Sequence, residues 1–165
     1  MPSVQVPLKC SKNLALKNVK GLLYNRCARR PSALYVPTVV HPTRDCLAVP
    51  RFPSFENVFG PGIEIHESWV SCEDDSGKEH RFLIAAQYSA SFEINRSLQR
   101  VLPEVIWRGR LTVMRGGTYL SVVNVSNALH KEMAERAVRK FLAETAPIVA
   151  DATRNNVPLN IPTQL

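Results

Sequence analysis

Residues 105–114 alternate without interruption. Val105, Trp107, Gly109, Leu111 and Val113 fall on one side, and Ile106, Arg108, Arg110, Thr112 and Met114 on the other. Ten residues at period two predict a strand with one buried face, and a strand needs partners. The neighbouring sequence supplies them. Residues 63–72 and 81–90 are rich in β-branched and aromatic side chains, and Phe82, Ile84, Ala86 and Tyr88 share a face. The polar stretch 73–78 between them, with Gly77 near its end, suits a hairpin loop. Residues 119–125 return after Arg115-Gly116-Gly117-Thr118, whose paired glycines predict a tight turn at positive φ.

Two helices complete the pattern. Asn95 precedes residues 96–102 as a capping side chain, and Pro103 terminates them. Ser126 or Asn127 caps the longer helix over residues 128–146, which Pro147 then stops. Its stripe is Leu129, Met133, Ala137, Val138, Phe141 and Leu142, with charged residues opposite. The order β-β-α-β-β-α is no crossover pattern. The expectation is an α+β fold: an antiparallel sheet of about four strands, with the C-terminal amphipathic helix packed on one face.

Charge divides the chain unevenly. Residues 1–51 hold nine Lys or Arg and one acid, Asp45, hence +8; the remainder holds twelve basic and thirteen acidic residues, hence −1, giving the total of +7. Leu14, Leu16, Val19, Leu22 and Leu23 recur near helical spacing with lysines between them, which predicts a basic amphipathic helix ended by Pro31. Six of the twelve prolines fall in residues 31–62, arguing for an extended connector rather than a helix or central strand. The expected organisation is a basic arm (1–30), a proline-rich connector (31–62), an α+β body (63–146) and a tail (147–165).

Few residues group in ways that carry chemistry. The cysteines at 10, 27, 46 and 72 form no C-x-x-C pair, and a reducing compartment with free thiols is expected. His66 and His80 flank the first hairpin and are expected to face each other across it. Tight ligand pairs for zinc are missing, and no G-x-S-x-G motif occurs. No cofactor, metal site or catalytic constellation is implied. No stretch has the roughly 18 apolar residues of a membrane helix.

The function expected on these grounds is a non-enzymatic binding or scaffold protein with a protein partner, in the cytoplasm or nucleus. One alternative is nucleic-acid binding through phosphate-neutralising side chains: Lys9, Lys12, Lys17, Lys20, Arg26, Arg29 and Arg30 of the arm, with Arg108, Arg110 and Arg115. Sheets that read RNA also expose aromatics for stacking, and Trp107 falls on the buried side. A second alternative is a mitochondrial matrix protein whose first 25–35 residues or so form a cleaved presequence.

Overall fold

The structure is a computed structural model, which describes residues 15–42 and 48–161. Lys9, Lys12, Leu14, Cys10 and Cys46 therefore lie outside the described residues. The strands are β1 (Leu16–Tyr24), β2 (Ser32–Pro42), β3 (Ala48–Pro53), β4 (His66–Glu73), β5 (Glu79–Ala86), β6 (Leu111–Gly116) and β7 (Val122–Val123). The helices are α1 (Glu56–Phe59), α2 (Arg96–Val101) and α3 (Ala128–Asn155). No helix among the described residues is long and apolar enough to cross a membrane.

The fold is α+β, as expected, but among the described residues the antiparallel sheet has seven strands rather than about four. Six run in the order β3-β2-β1-β6-β5-β4, and β7 pairs with β6. The three additional strands at one side come from residues 16–53. Where a basic helix was expected stands β1, bonded to β2 on one edge and to β6 on the other. Its apolar residues serve both sides of the sheet: Leu22 and Tyr24 enter one core, Val19 the other. Gly21 allows the close approach of β6, because a Cβ there would lie 2.7 Å from the Val113 carbonyl oxygen.

The extended connector contains β2 and β3. Its prolines sit mostly where a sheet tolerates them. Pro50 and Pro53 are on β3, which among the described residues pairs with no strand beyond β2, and Pro42 ends β2. A register shift between Val39 and Val40 absorbs one extra residue, Arg51, on β3. Pro37 alone lies well inside β2, opposite Asn18.

The first hairpin follows the sequence closely, with Gly77 at φ 81° in its turn. The expected strand over 105–114 starts later, at Leu111. Its preceding residues still alternate, with Val105 and Trp107 buried and Ile106 exposed. Gly116 and Gly117 do not supply the positive φ; Tyr119 and Leu120 do, at 55° and 57°. The glycines are needed for space instead. A Cβ on Gly117 would sit 2.6 Å from Ser121 Oγ, and one on Gly116 3.0 Å from the Arg81 carbonyl oxygen.

α2 and α3 cover one side of β4, β5 and β6. Asn95 and Asn127 cap them, accepting from the backbone N–H of Leu98 and of His130. The α3 stripe is buried at Met133, Ala137, Val138, Phe141 and Leu142, whereas Leu129 is exposed. Pro147 does not stop α3. It removes one backbone donor on the solvent side, and the helix continues to Asn155 because Val149 and Ala152 still bury. A smaller core on the opposite side joins Val19, Val36, Phe59, Leu83, Met114 and Val122.

Candidate basic cleft

Asn95 is fully buried, and its side chain ties together three chain segments. Nδ2 donates to the carbonyl oxygens of Tyr24 (2.9 Å) and Gly109 (2.7 Å). Oδ1 accepts from Leu98 N–H at 3.1 Å and from the Ser97 hydroxyl at 3.2 Å. Its backbone N–H donates to Trp107 O at 2.8 Å. One buried amide thus fixes the end of β1, the start of α2 and the approach to β6. Ser97 Oγ reinforces this by donating to Asn25 O at 2.6 Å.

Each of those segments carries an arginine beside its anchor. Arg26 follows β1, Arg96 opens α2, and Arg108 precedes β6. The three line a cavity of about 650 Å³ together with Cys27, Glu93, Ile94 and Gln99. An adjoining cavity of about 200 Å³ shares Arg26 and adds Arg110, Phe59 and Phe92. The two cavities share Arg26, so four arginines line this basic cleft, and among the described residues its lining holds a single carboxylate. That carboxylate, Glu93, lies 3.8 Å from Arg26 Nε with both groups well exposed. Such a pair contributes little and leaves Arg26 free to meet another anion.

Two of the arginines are held by the backbone. Arg108 donates to Phe92 O at 3.1 Å and Arg110 to Val58 O at 2.7 Å. These bonds orient the guanidiniums without neutralising them. Gly109 between them has φ 125°, and a Cβ there would come 2.9 Å from the Gln87 carbonyl carbon. The close approach of residues 87 and 109 shapes the cleft floor, where the Trp107 indole also donates to Gln87 O at 3.1 Å.

Of the ten basic residues singled out from the sequence, the cleft gathers Arg26, Arg108 and Arg110. Arg29 and Arg30 lie exposed between β1 and β2, and the Arg29 carbonyl accepts from Arg100 at 3.1 Å. Arg115 belongs elsewhere. It is five strand residues from Arg110, or about 17 Å. Arg115 donates to Asn124 O, while Asn124 Oδ1 accepts from the backbone N–H of Lys20, which ties Arg115 to β1 rather than to the cleft. Lys17 is exposed on β1. Arg96 carries no signal of its own in the sequence beyond its place after the Asn95 cap, whereas Arg100 lies outside the cleft lining and pairs with Glu135 at 3.6 Å.

The histidines are dispersed. His66 stands opposite Ala86 and His80 opposite Cys72, so they do not face each other. His80 is clasped by Asp74 at 2.9 Å. The Ser76 hydroxyl, His80 and the backbone N–H groups of Lys78 and Ser76 hold the Asp74 carboxyl well below the ordinary range. His130 is pushed down by burial and by Arg115, His80 and Lys78, which favours its neutral form. Its Nδ1 accepts from Ser126 N–H at 3.2 Å and lies 3.2 Å from Ser126 Oγ. The Asn127 amide, not a carboxylate, lies near Nε2, 3.4 Å away. No group of three or more metal-ligating side chains occurs among the described residues. No protein-family model, curated protein or solved structure shows significant similarity to the chain.

Proposed function

We propose that the protein is a non-enzymatic binding protein for nucleic acid, which it holds by its phosphates in the basic cleft. The observation that carries this reading is the gathering of Arg26, Arg96, Arg108 and Arg110 around two cavities that share Arg26, with Glu93 the only acid among their described lining residues. Guanidinium groups match phosphate geometry through paired donors. Their convergence from three distant segments sets out several phosphate contacts at once. The overall charge of +7 adds a long-range attraction to polyanions.

The presequence reading has less support. A cut within the first 25–35 residues or so, as import requires, would take away β1 and with it Val19, Leu22 and Tyr24.

The test is capture on immobilised full-length protein, with and without nuclease treatment, followed by the Arg26→Gln/Arg96→Gln double variant. Retention of nuclease-sensitive material by the wild type, reduced at least fivefold in the variant, is the expected result. Retention of nuclease-resistant protein alone would overturn the reading in favour of a protein partner.

A further inference from the structure

The part of the sheet that α3 leaves open has its own chemistry. α3 packs on β4, β5 and β6. On β1, β2 and β3, cross-strand pairing sets Leu16 opposite Val39, Val39 opposite Phe52, and Lys20 opposite Tyr35. Directly paired residues project to the same side of an antiparallel sheet, and residues four apart on one strand share that side. Leu16, Lys20, Tyr35, Val39 and Phe52 therefore form one surface. It is the side on which Leu22, further along β1, enters the α3-covered core.

Three of these side chains are unusually open for their size: Leu16 is 66% exposed, Tyr35 63% and Phe52 52%. Phe52 is nonetheless held in place. The Arg51 guanidinium lies 5.5 Å from its ring centroid, and His41 meets it edge-on at 5.6 Å. Charge on the three strands has one sign. Lys17, Lys20 and Arg51 occur there, and no Asp or Glu does. The surface thus offers two aromatic rings about 13 Å apart along β2, an apolar floor of Leu16 and Val39, and cations at its margins. Its complement is a ligand with flat apolar faces on an anionic backbone.

We propose that this face is a stacking platform for single-stranded nucleic acid, with bases on Tyr35 and Phe52 and phosphates toward Lys20 and Arg51. The proposal rests on the nucleic-acid reading of the cleft and specifies the strandedness of the ligand. Stacking is indifferent to base identity but requires bases freed from a duplex.

The test compares three labelled probes of equal length by fluorescence anisotropy with the full chain: oligothymidylate, a strand abasic throughout, and a duplex. The wild type should bind oligothymidylate at least about fivefold more tightly than either other probe, since each lost stack costs about that much or more. Tyr35→Ala/Phe52→Ala should erase the preference and leave abasic affinity unchanged. Tyr35→Phe/Phe52→Tyr should retain the preference, and melting curves should show all variants folded. Equal wild-type affinity for oligothymidylate and the abasic strand would overturn the platform while leaving the phosphate cleft standing. Failure to bind any probe would overturn both. Sedimentation velocity covers the remaining occupant: a wild-type dimer that Tyr35→Ala/Phe52→Ala converts to monomer, without a base preference, would make the face a contact between copies and overturn the proposal.

Discussion

The two halves of the sheet are built from the same kind of strand but finished differently. β4, β5 and β6 lie under α2 and α3, and their inward side is closed by Trp107, Phe141 and Leu142. β2, β3 and the first half of β1 keep that same side open, with Leu16, Tyr35 and Phe52 at the surface. The covered half obtains its stability from a helix stripe burying large side chains, at roughly 1.5–3 kcal/mol each. The open half is held by strand pairing and by the smaller core on its other side, where Val19 and Val36 meet Phe59 and Met114. Apolar residues that a fold leaves uncovered are free for a partner. The basic cleft lies where the halves meet, and Asn95 bonds to both.

The contrast is sharpest in the response to mutation. Phe141→Asp would place a charge in the covered core and should cost at least about 4 kcal/mol, enough to unfold the chain. An unchanged melting temperature would show that α3 is not part of the core. Asn95→Ala, at the junction, removes an N-cap and leaves the Tyr24 and Gly109 carbonyls without their side-chain donor; about 2–4 kcal/mol is expected. It should also weaken oligonucleotide binding more than an equally destabilising core variant does, because it loosens all three arginine-bearing segments. Denaturant midpoints measured alongside anisotropy check both points.

Gly21→Ala probes the seam between β1 and β6. The added methyl meets the Val113 carbonyl and the Met114 side chain, and a loss of about 1–3 kcal/mol is expected by chemical denaturation. A neutral result would detach β1 from the central sheet.

Acid sensitivity belongs to the covered half. The Asp74 carboxyl is held low by Ser76, His80 and the backbone of the turn. Its contribution is complete above the unfolded carboxylate value of about 4 and disappears as pH falls through the folded one. Asp74→Asn should therefore flatten the acid limb of the stability profile between about pH 4 and lower values. An acid limb identical to that of the wild type would contradict this. The smallest effect is expected on the open face. Tyr35→Ala should change stability by no more than about 0.5 kcal/mol, and a larger loss would mean that the ring is structural.

The covered half was legible in the sequence because its signals are local. Helix periodicity, the caps at Asn95 and Asn127 and the polar turn around Gly77 each lie within a few residues of the element they define. The open half depends on partners far away. β1 has leucines whose spacing fits a helix almost as well as a strand, and pairing with Val36 and Val113 decides between the two. The prolines of β2 and β3 argue against a sheet until an edge strand and a register shift give them places. The cleft was half visible. Arg108 and Arg110 stood out, but Arg96 joins them only through hydrogen bonds from Asn95 that reach back 71 residues to Tyr24. Tyr35 and Phe52 carry no local signal of a surface role, because the prolines around them argue for a connector.

The most direct test of the central claim is the salt dependence of oligonucleotide affinity for the wild type and for Arg26→Gln/Arg96→Gln. Phosphate binding in the cleft predicts that log affinity falls linearly with log salt, and that the double variant has a slope shallower by about 1.4 for a single strand. Binding that ignores salt, or an equal slope in the two proteins, would contradict it.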